Sequence, residues 1–253
     1  MRKHVLLIIV AIFGVMIFAG CSMADNKTAM LCEAIENGNN EEAIRIAEGM
    51  RNLNAQSSRT PRITELLEDE VTTPLVKACE TGNAQMILWL LEHGARTDYA
   101  PGRICYPLEA FCESGSGAGI ETLKSLIAYG ADPEQYKYRP AMFRLAQTLS
   151  HRNAETYQTG VDMVMMLIDN GASWQDAGDG YTILHYAAMQ KDGSFLRSLL
   201  EKEEAQKYIN ARNNKGETPM DVAVQSRSVD TVWALQEAGG VQGDEHHEQE
   251  PQP

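Results

Sequence analysis

The residues able to do chemistry are few and scattered. Six histidines and five cysteines occur in 253 residues, whereas a hydrolase or transferase must bring a nucleophile, a base and a charge stabiliser together. His93 directly precedes Gly94 at the end of an apolar stretch, and His185 falls inside a repeated segment, so both read as structural. His151 and Glu155 lie in the stretch Thr148 to Gly160 and mark the one place where an enzyme site is worth weighing. His246 and His247, flanked by Asp244, Glu245 and Glu248, offer weak metal ligands, but adjacent histidines in an acidic tail are more simply a solvated segment. Gly115-Ser116-Gly117-Ala118-Gly119 looks like a phosphate loop yet lacks a preceding strand and a lysine. There is no Cys-x-x-Cys pair. The expectation is a non-enzyme with no cofactor, no metal and no small-molecule substrate.

Charge and hydropathy narrow the partners. The formal charge is −13, from 35 acidic and 22 basic residues. A nucleic-acid binder needs a basic face to neutralise phosphates, so that class is disfavoured. A partner steered by charge would be neutral or basic. Arg2, Lys3 and His4 precede an apolar run from Val5 to Phe18, followed by Ala19-Gly20-Cys21. That run is short for a membrane span of about 20 residues and fits the apolar region of a secretory signal. Phe18 to Cys21 resembles a bacterial lipobox, with Phe18 where Leu is usual. The resemblance implies residues 1–20 as a lipoprotein signal peptide, a lipid on Cys21 and a tether over 21–28. Loss of Arg2 and Lys3 would take the formal charge to −15. Ser22, a non-Asp residue after the cysteine, implies by the same resemblance an outer-membrane location facing the periplasm. An ordinary cleaved signal or an uncut anchor is the alternative.

The elements that must position any site are repeated. Thr73-Pro74-Leu75-Val76-Lys77-Ala78-Cys79 recurs as Tyr106-Pro107-Leu108-Glu109-Ala110-Phe111-Cys112. It recurs again at Thr182 to Ala188 and at Thr218 to Val224, with a weaker copy from Arg139-Pro140. Pro74, Pro107 and Pro140 are 33 and 33 residues apart. Second apolar stretches end in Gly94-Ala95, Gly130-Ala131 and Gly171-Ala172. This pattern resembles the ankyrin repeat, whose opening motif is Thr-Pro-Leu-His-x-Ala. The fold class it implies is all-α, an ankyrin-repeat solenoid of about six helix-turn-helix units joined by β-hairpin loops. Thr would cap the first helix, Pro suits its first turn, and Gly would end the second helix in a left-handed conformation. The repeat domain spans 29–240, with a degenerate first copy, and 241–253 reads as a disordered acidic tail. Cys79 and Cys112 occupy equivalent positions in adjacent repeats about 10 Å apart, too far for a disulfide, so both are expected as packing residues. Trp89 and Trp233 fall in second-helix patterns and are likewise expected to pack.

Two stretches depart from the period: Arg51 to Val71, and about ten extra residues around Thr148 to Gly160, expected as loops. The connections between repeats are aromatic for a chain with only 7% aromatic residues. Tyr99, Arg103 and Tyr106 lie in one, Tyr136, Tyr138 and Arg139 in the next, and Trp174, Asp176 and Tyr181 in a third. Tyr, Trp and Arg are enriched at interface hot spots, so these nine are the expected protein-binding residues. What the resemblance implies is a membrane-tethered scaffold of the bacterial cell envelope, binding another protein through its hairpins and concave face. One version is an immunity protein against a secreted toxin. An accessory factor for another envelope protein, such as an antioxidant enzyme, and a structural spacer are alternatives that the residues do not separate.

Overall fold

A computed structural model describes residues 27–58, 71–99, 106–114, 119–135 and 140–243. The chain divides into two compact lobes, Met1–Asp132 and Pro133–Pro253. The first contains helix α1 over residues 27–36, α2 (Asn40–Glu48), α3 (Pro74–Glu80), α4 (Ala84–Glu92), α5 (Pro107–Ser114) and α6 (Gly119–Ala128). Two-residue strands β1 (Ser57–Ser58) and β2 (Val71–Thr72) pair antiparallel, Ser57 opposite Thr72. The second lobe contains α7 (Ala141–Thr148), a 3-10 turn over Leu149–His151, α8 (Ala154–Asp169), α9 (Ile183–Ala188) and α10 (Ser194–Leu200). The short α11 (Ala205–Tyr208), α12 (Pro219–Gln225) and α13 (Val229–Glu237) complete it.

Most of these helices have six to ten residues, too few to persist alone in water. Their ends are therefore fixed by local chemistry and their faces by neighbours. Thr73 Oγ1 accepts the Val76 N–H at 3.3 Å, and Pro74 opens α3 where its missing N–H costs nothing. Asn83 and Asn153 cap α4 and α8 in the same way, accepting from Met86 and Thr156. Gly94, Gly130, Gly171 and Gly239 have φ between +90° and +93°. Each turns the chain so that the next N–H reaches back to Leu90, Leu126, Leu167 or Leu235 O. Ala78, Cys79, Ala187 and Ala188 are fully buried, the small residues that let first helices approach closely. Cys32, Cys79 and Cys112 are buried as well.

Two expectations change. The 33-residue proline spacing does not carry the helix register into α7, because Pro140 is its N-cap (ψ 147°) whereas Pro74 is the first residue of α3. An unshifted register would put Arg144 in the fully buried position of Ala78. The one-residue slip puts Leu145 there, at 0% exposure, and leaves Arg144 half-buried. The stretch Thr148 to Gly160 is also not a loop. It forms the 3-10 turn and the opening turns of α8, which runs to 16 residues. A Cβ on Gly160 would lie 2.4 Å from Leu149 Cδ2, so glycine is what allows α8 to lie over that turn.

Candidate protein-binding groove

In the second lobe the first helices and the hairpins before them enclose a groove of about 550 Å³. The hairpin from Trp174 to Thr182 is closed by the Asp176 N–H to Tyr181 O at 2.7 Å and the Ile183 N–H to Trp174 O at 3.0 Å. It docks on the following hairpin through the Asn214 N–H to Asp179 O and Asn214 Nδ2 to Gly178 O. Gly180 has φ +70°, and a Cβ there would lie 2.7 Å from Asn214 Oδ1, so the hairpins nest backbone against side chain.

An aromatic cluster sets the groove's shape. The Tyr186 ring lies 5.5 Å from Phe143 and 5.6 Å from Tyr181, and Tyr181 lies 5.2 Å from His185. Tyr186 is 7% exposed and Gln190 6%, yet both line the groove. Gln147 Nε2 donates to Tyr186 Oη at 3.2 Å, and Gln190 Nε2 donates to Tyr186 O at 3.2 Å. Met189 is exposed at the wall, and Asp179 and Lys215 bring opposite charges to the rim. Burial pushes the Tyr186 phenol above its ordinary value, against the Gln147 hydrogen bond, so the group remains a neutral hydroxyl.

His185 supports this wall from within. Its Nδ1 accepts the Thr182 N–H at 3.0 Å, which leaves Nε2–H to donate to Glu217 O at 3.0 Å. Burial lowers its pKa from the ordinary 6.5, with the hydrogen bond to Glu217 opposing. The Glu217 carboxylate is held below its usual range by hydrogen bonds from Asn213 and Gln225, against some desolvation.

The first lobe has its own smaller groove of about 210 Å³, lined in part by Cys32, Glu33, Glu36 and Lys77. A second cavity of about 410 Å³ lies beside Glu48, Arg51, Trp89 and His93, whose rings stack at 3.8 Å. One first-helix position differs in character between lobes. By cap and turn register it holds Glu36, Glu80 and Glu113 in the first, and Gln147, Met189 and Gln225 in the second.

The expected contact residues divide. Tyr181 lines the groove. Tyr99 is half-buried, its hydroxyl accepting from Gln56 Nε2 at 2.8 Å with the Arg96 guanidinium 5.8 Å from its ring. Tyr106 is half-buried at the start of α5, its N–H donating to Glu109 Oε2 at 2.8 Å. Trp174, expected as an anchor, is instead 3% exposed and stacked on Tyr208, and Asp176 is 4% exposed with Oδ1 accepting the Gly178 N–H. The Trp174 ring is spent on packing against α11 and the Asp176 carboxylate on the turn of the hairpin. Trp233, expected to pack, is 56% exposed. Arg103, Tyr136, Tyr138, Arg139, Cys21, Cys105, His246 and His247 lie outside the described residues. Tyr186, Met189 and Gln190 were not anticipated. Their signal was their place on or just after a first helix, which the hairpin composition drew attention away from.

Comparison with known proteins identifies the fold. Residues 150–244 match the family model for ankyrin repeats, in three copies. The chain is similar to an ankyrin repeat domain from Acinetobacter baumannii, with a TM-score of 0.62 and 18% identity, over 83% of this chain and 98% of that one. It is also similar to a chain in the complex of the Bd0816 predatory endopeptidase of Bdellovibrio bacteriovorus with immunity protein Bd3460. That match has a TM-score of 0.55 and 22% identity, over 82% of this chain and 96% of that one. Among curated sequences it is 29% identical over 184 residues to the palmitoyltransferase ZDHHC17 of Danio rerio, and spans only 27% of that protein's length. The fold is the all-α ankyrin-repeat fold, one used typically for protein interaction rather than catalysis.

Proposed function

We propose that this ankyrin-repeat chain is a non-catalytic scaffold of the bacterial cell envelope, anchored through a lipid on Cys21, and that it captures a protein partner in the groove walled by Tyr181 and Met189. The carrying observation is that groove: concave, about 550 Å³, and shaped by an aromatic cluster already held in place before any partner arrives. Pre-set walls reduce the ordering cost of association.

The finer reading is an immunity protein that masks a toxin delivered to the envelope. Its support is the likeness in fold to a chain of the endopeptidase–immunity protein complex, together with a net charge that favours rapid capture of a basic partner. The anchor reading is supported by the Phe18 to Cys21 sequence, and an acyl chain there would contribute about 0.8 kcal/mol per buried CH₂.

Affinity capture tests the scaffold. The full chain retaining one envelope or secreted protein that the Tyr181→Ala, Met189→Lys double variant loses would support it. Equal retention by both would sink it. A deletion strain sensitised to killing by sister cells supports immunity, whereas peroxide sensitivity supports an accessory role. Recovery of the Cys21→Ser chain in the membrane fraction, as abundant as the unaltered chain, would remove the lipid anchor.

A further inference from the structure

Resting on the scaffold reading, we propose that the groove of the second lobe takes an uncharged, extended peptide segment of the partner protein and reads its main chain, Tyr186 donating to a peptide C=O and Gln190 accepting from a peptide N–H.

The argument begins with what the two floor residues have left to offer. Gln190 gives one Nε2 hydrogen to Tyr186 O, and its carbonyl oxygen accepts from no described group. Tyr186 Oη accepts from Gln147, and its own proton donates to no described group. Both side chains are more than nine-tenths buried and both line the cavity. The floor therefore sets an acceptor, Gln190 Oε1, beside the Tyr186 hydroxyl donor. A peptide group supplies one of each in return. A guanidinium brings only donors and would leave the Tyr186 proton without an acceptor. A carboxylate brings only acceptors and would set its lone pairs against Gln190 Oε1. Polar groups left unmade in such a site weigh heavily against the wrong ligand.

The surroundings agree. Asp179 and Lys215 at the rim cancel, so the mouth selects no sign of charge. The first-helix position that holds Glu36, Glu80 and Glu113 in the first lobe holds Gln147, Met189 and Gln225 here, removing the carboxylates that would favour a basic segment. Tyr181 and Met189 supply apolar walls for the side chains between the peptide groups, and methionine adapts readily to their shape.

The test is selection of short random peptides displayed against the immobilised full chain, then synthesis of the enriched sequence with and without N-methylation of its peptide bonds. The expected result is enrichment of peptides without net charge. Their affinity falls by about tenfold or more on N-methylation, and likewise in Gln190→Leu and in Tyr186→Phe. It changes by less than about twofold between roughly 50 and 300 mM salt. Met189→Lys, which blocks the mouth without touching the floor, abolishes binding, and melting curves establish that each variant is folded. Enrichment of basic peptides with steep salt dependence, indifference to the floor variants, or no enrichment at all overturns the proposal. Peptides lost on Tyr99→Ala but not on Gln190→Leu overturn it. Failure of the scaffold itself is read separately, from the protein capture above.

Discussion

The imidazole Nε2 of His185 lies 3.0 Å from the main-chain oxygen of Glu217, joining a first helix to the hairpin that precedes the next one. The bond at the other end of the ring, from the Thr182 N–H to Nδ1, needs the neutral form. Nδ1 faces the Thr182 N–H, a donor, and a second ring proton would have to displace it.

Acid should therefore loosen the second lobe. Burial lowers the His185 pKa below its ordinary 6.5, so the unfolded chain takes up the proton first as pH falls. Stability is full above about pH 6.5 and declines as pH drops from there through the lowered folded value. Melting temperature should fall between pH 7.5 and 5.5, roughly. His185→Gln should melt lower at neutral pH, having disturbed bonds worth about 1–3 kcal/mol, and should show a flatter profile over the same window. A wild-type profile already flat there would contradict the assignment.

Two glycines should fail for different reasons. Gly171 has φ +93° with no atom within 4 Å of an added Cβ, so Gly171→Ala should cost about 1–2 kcal/mol through the backbone alone. Gly160 is inside α8, where alanine gains about 1 kcal/mol of helix propensity. Its Cβ would meet Leu149, and overpacking of about 1–3 kcal/mol should outweigh that gain. Denaturant unfolding of both variants separates the cases, and a stabilised Gly160→Ala would show that the turn and helix can part freely.

The last repeat is closed by a hydroxyl and a carboxylate. Thr218 Oγ1 donates to Val241 O at 2.8 Å, and Asp221 Oδ2 accepts N–H groups from Thr218 and Gly243. Desolvation raises the Asp221 pKa, but these bonds and Arg212 together outweigh it and leave it lowered. Thr218→Ala should lose about 1–2 kcal/mol, and hydrogen exchange should rise first in residues 241–243. Protection unchanged in that segment would show that the cap does not hold it.

Binding should be most sensitive at Tyr181. Truncation to alanine removes a half-buried anchor worth about 2 kcal/mol, roughly thirtyfold in affinity. Most of the loss should appear as faster dissociation. Trp174→Ala should instead lower the melting temperature, because its ring is buried on Tyr208. A Trp174 variant that binds poorly but melts normally would reverse the two roles.

Much of the architecture was legible because it is written in local chemistry. Thr73, Thr218, Pro74, Gly94 and Gly171 each answer a backbone requirement at their own position, which a sequence displays directly. The α7 register was not legible, since choosing between Arg144 and Leu145 for a buried site requires knowing that the site is buried. The same gap exchanged Trp174 and Trp233: composition marks both as large aromatics, and only the neighbouring elements decide which is covered. Extra length at Thr148 to Gly160 read as a loop because insertion and helix extension look alike in a repeat count. The groove was half legible. Tyr181 was expected at its edge, but Tyr186 and Gln190 take their chemistry from what their partners leave unused.

The hairpins are joined through the main-chain oxygen of Asp179 and the main-chain N–H of Asn214. The Asp179 carboxylate has no part in that joint, and neither the Met189 thioether nor the Lys215 ammonium takes part in it. Side chains at the mouth of the groove can thus be exchanged with little penalty to folding. Selection acting on the partner can rewrite the rim residue by residue while the caps and glycines beneath go on specifying the same stack. The fold thus separates what can change from what cannot, and divergence among related chains should concentrate at 179, 189 and 215 while sparing 180, 185 and 218.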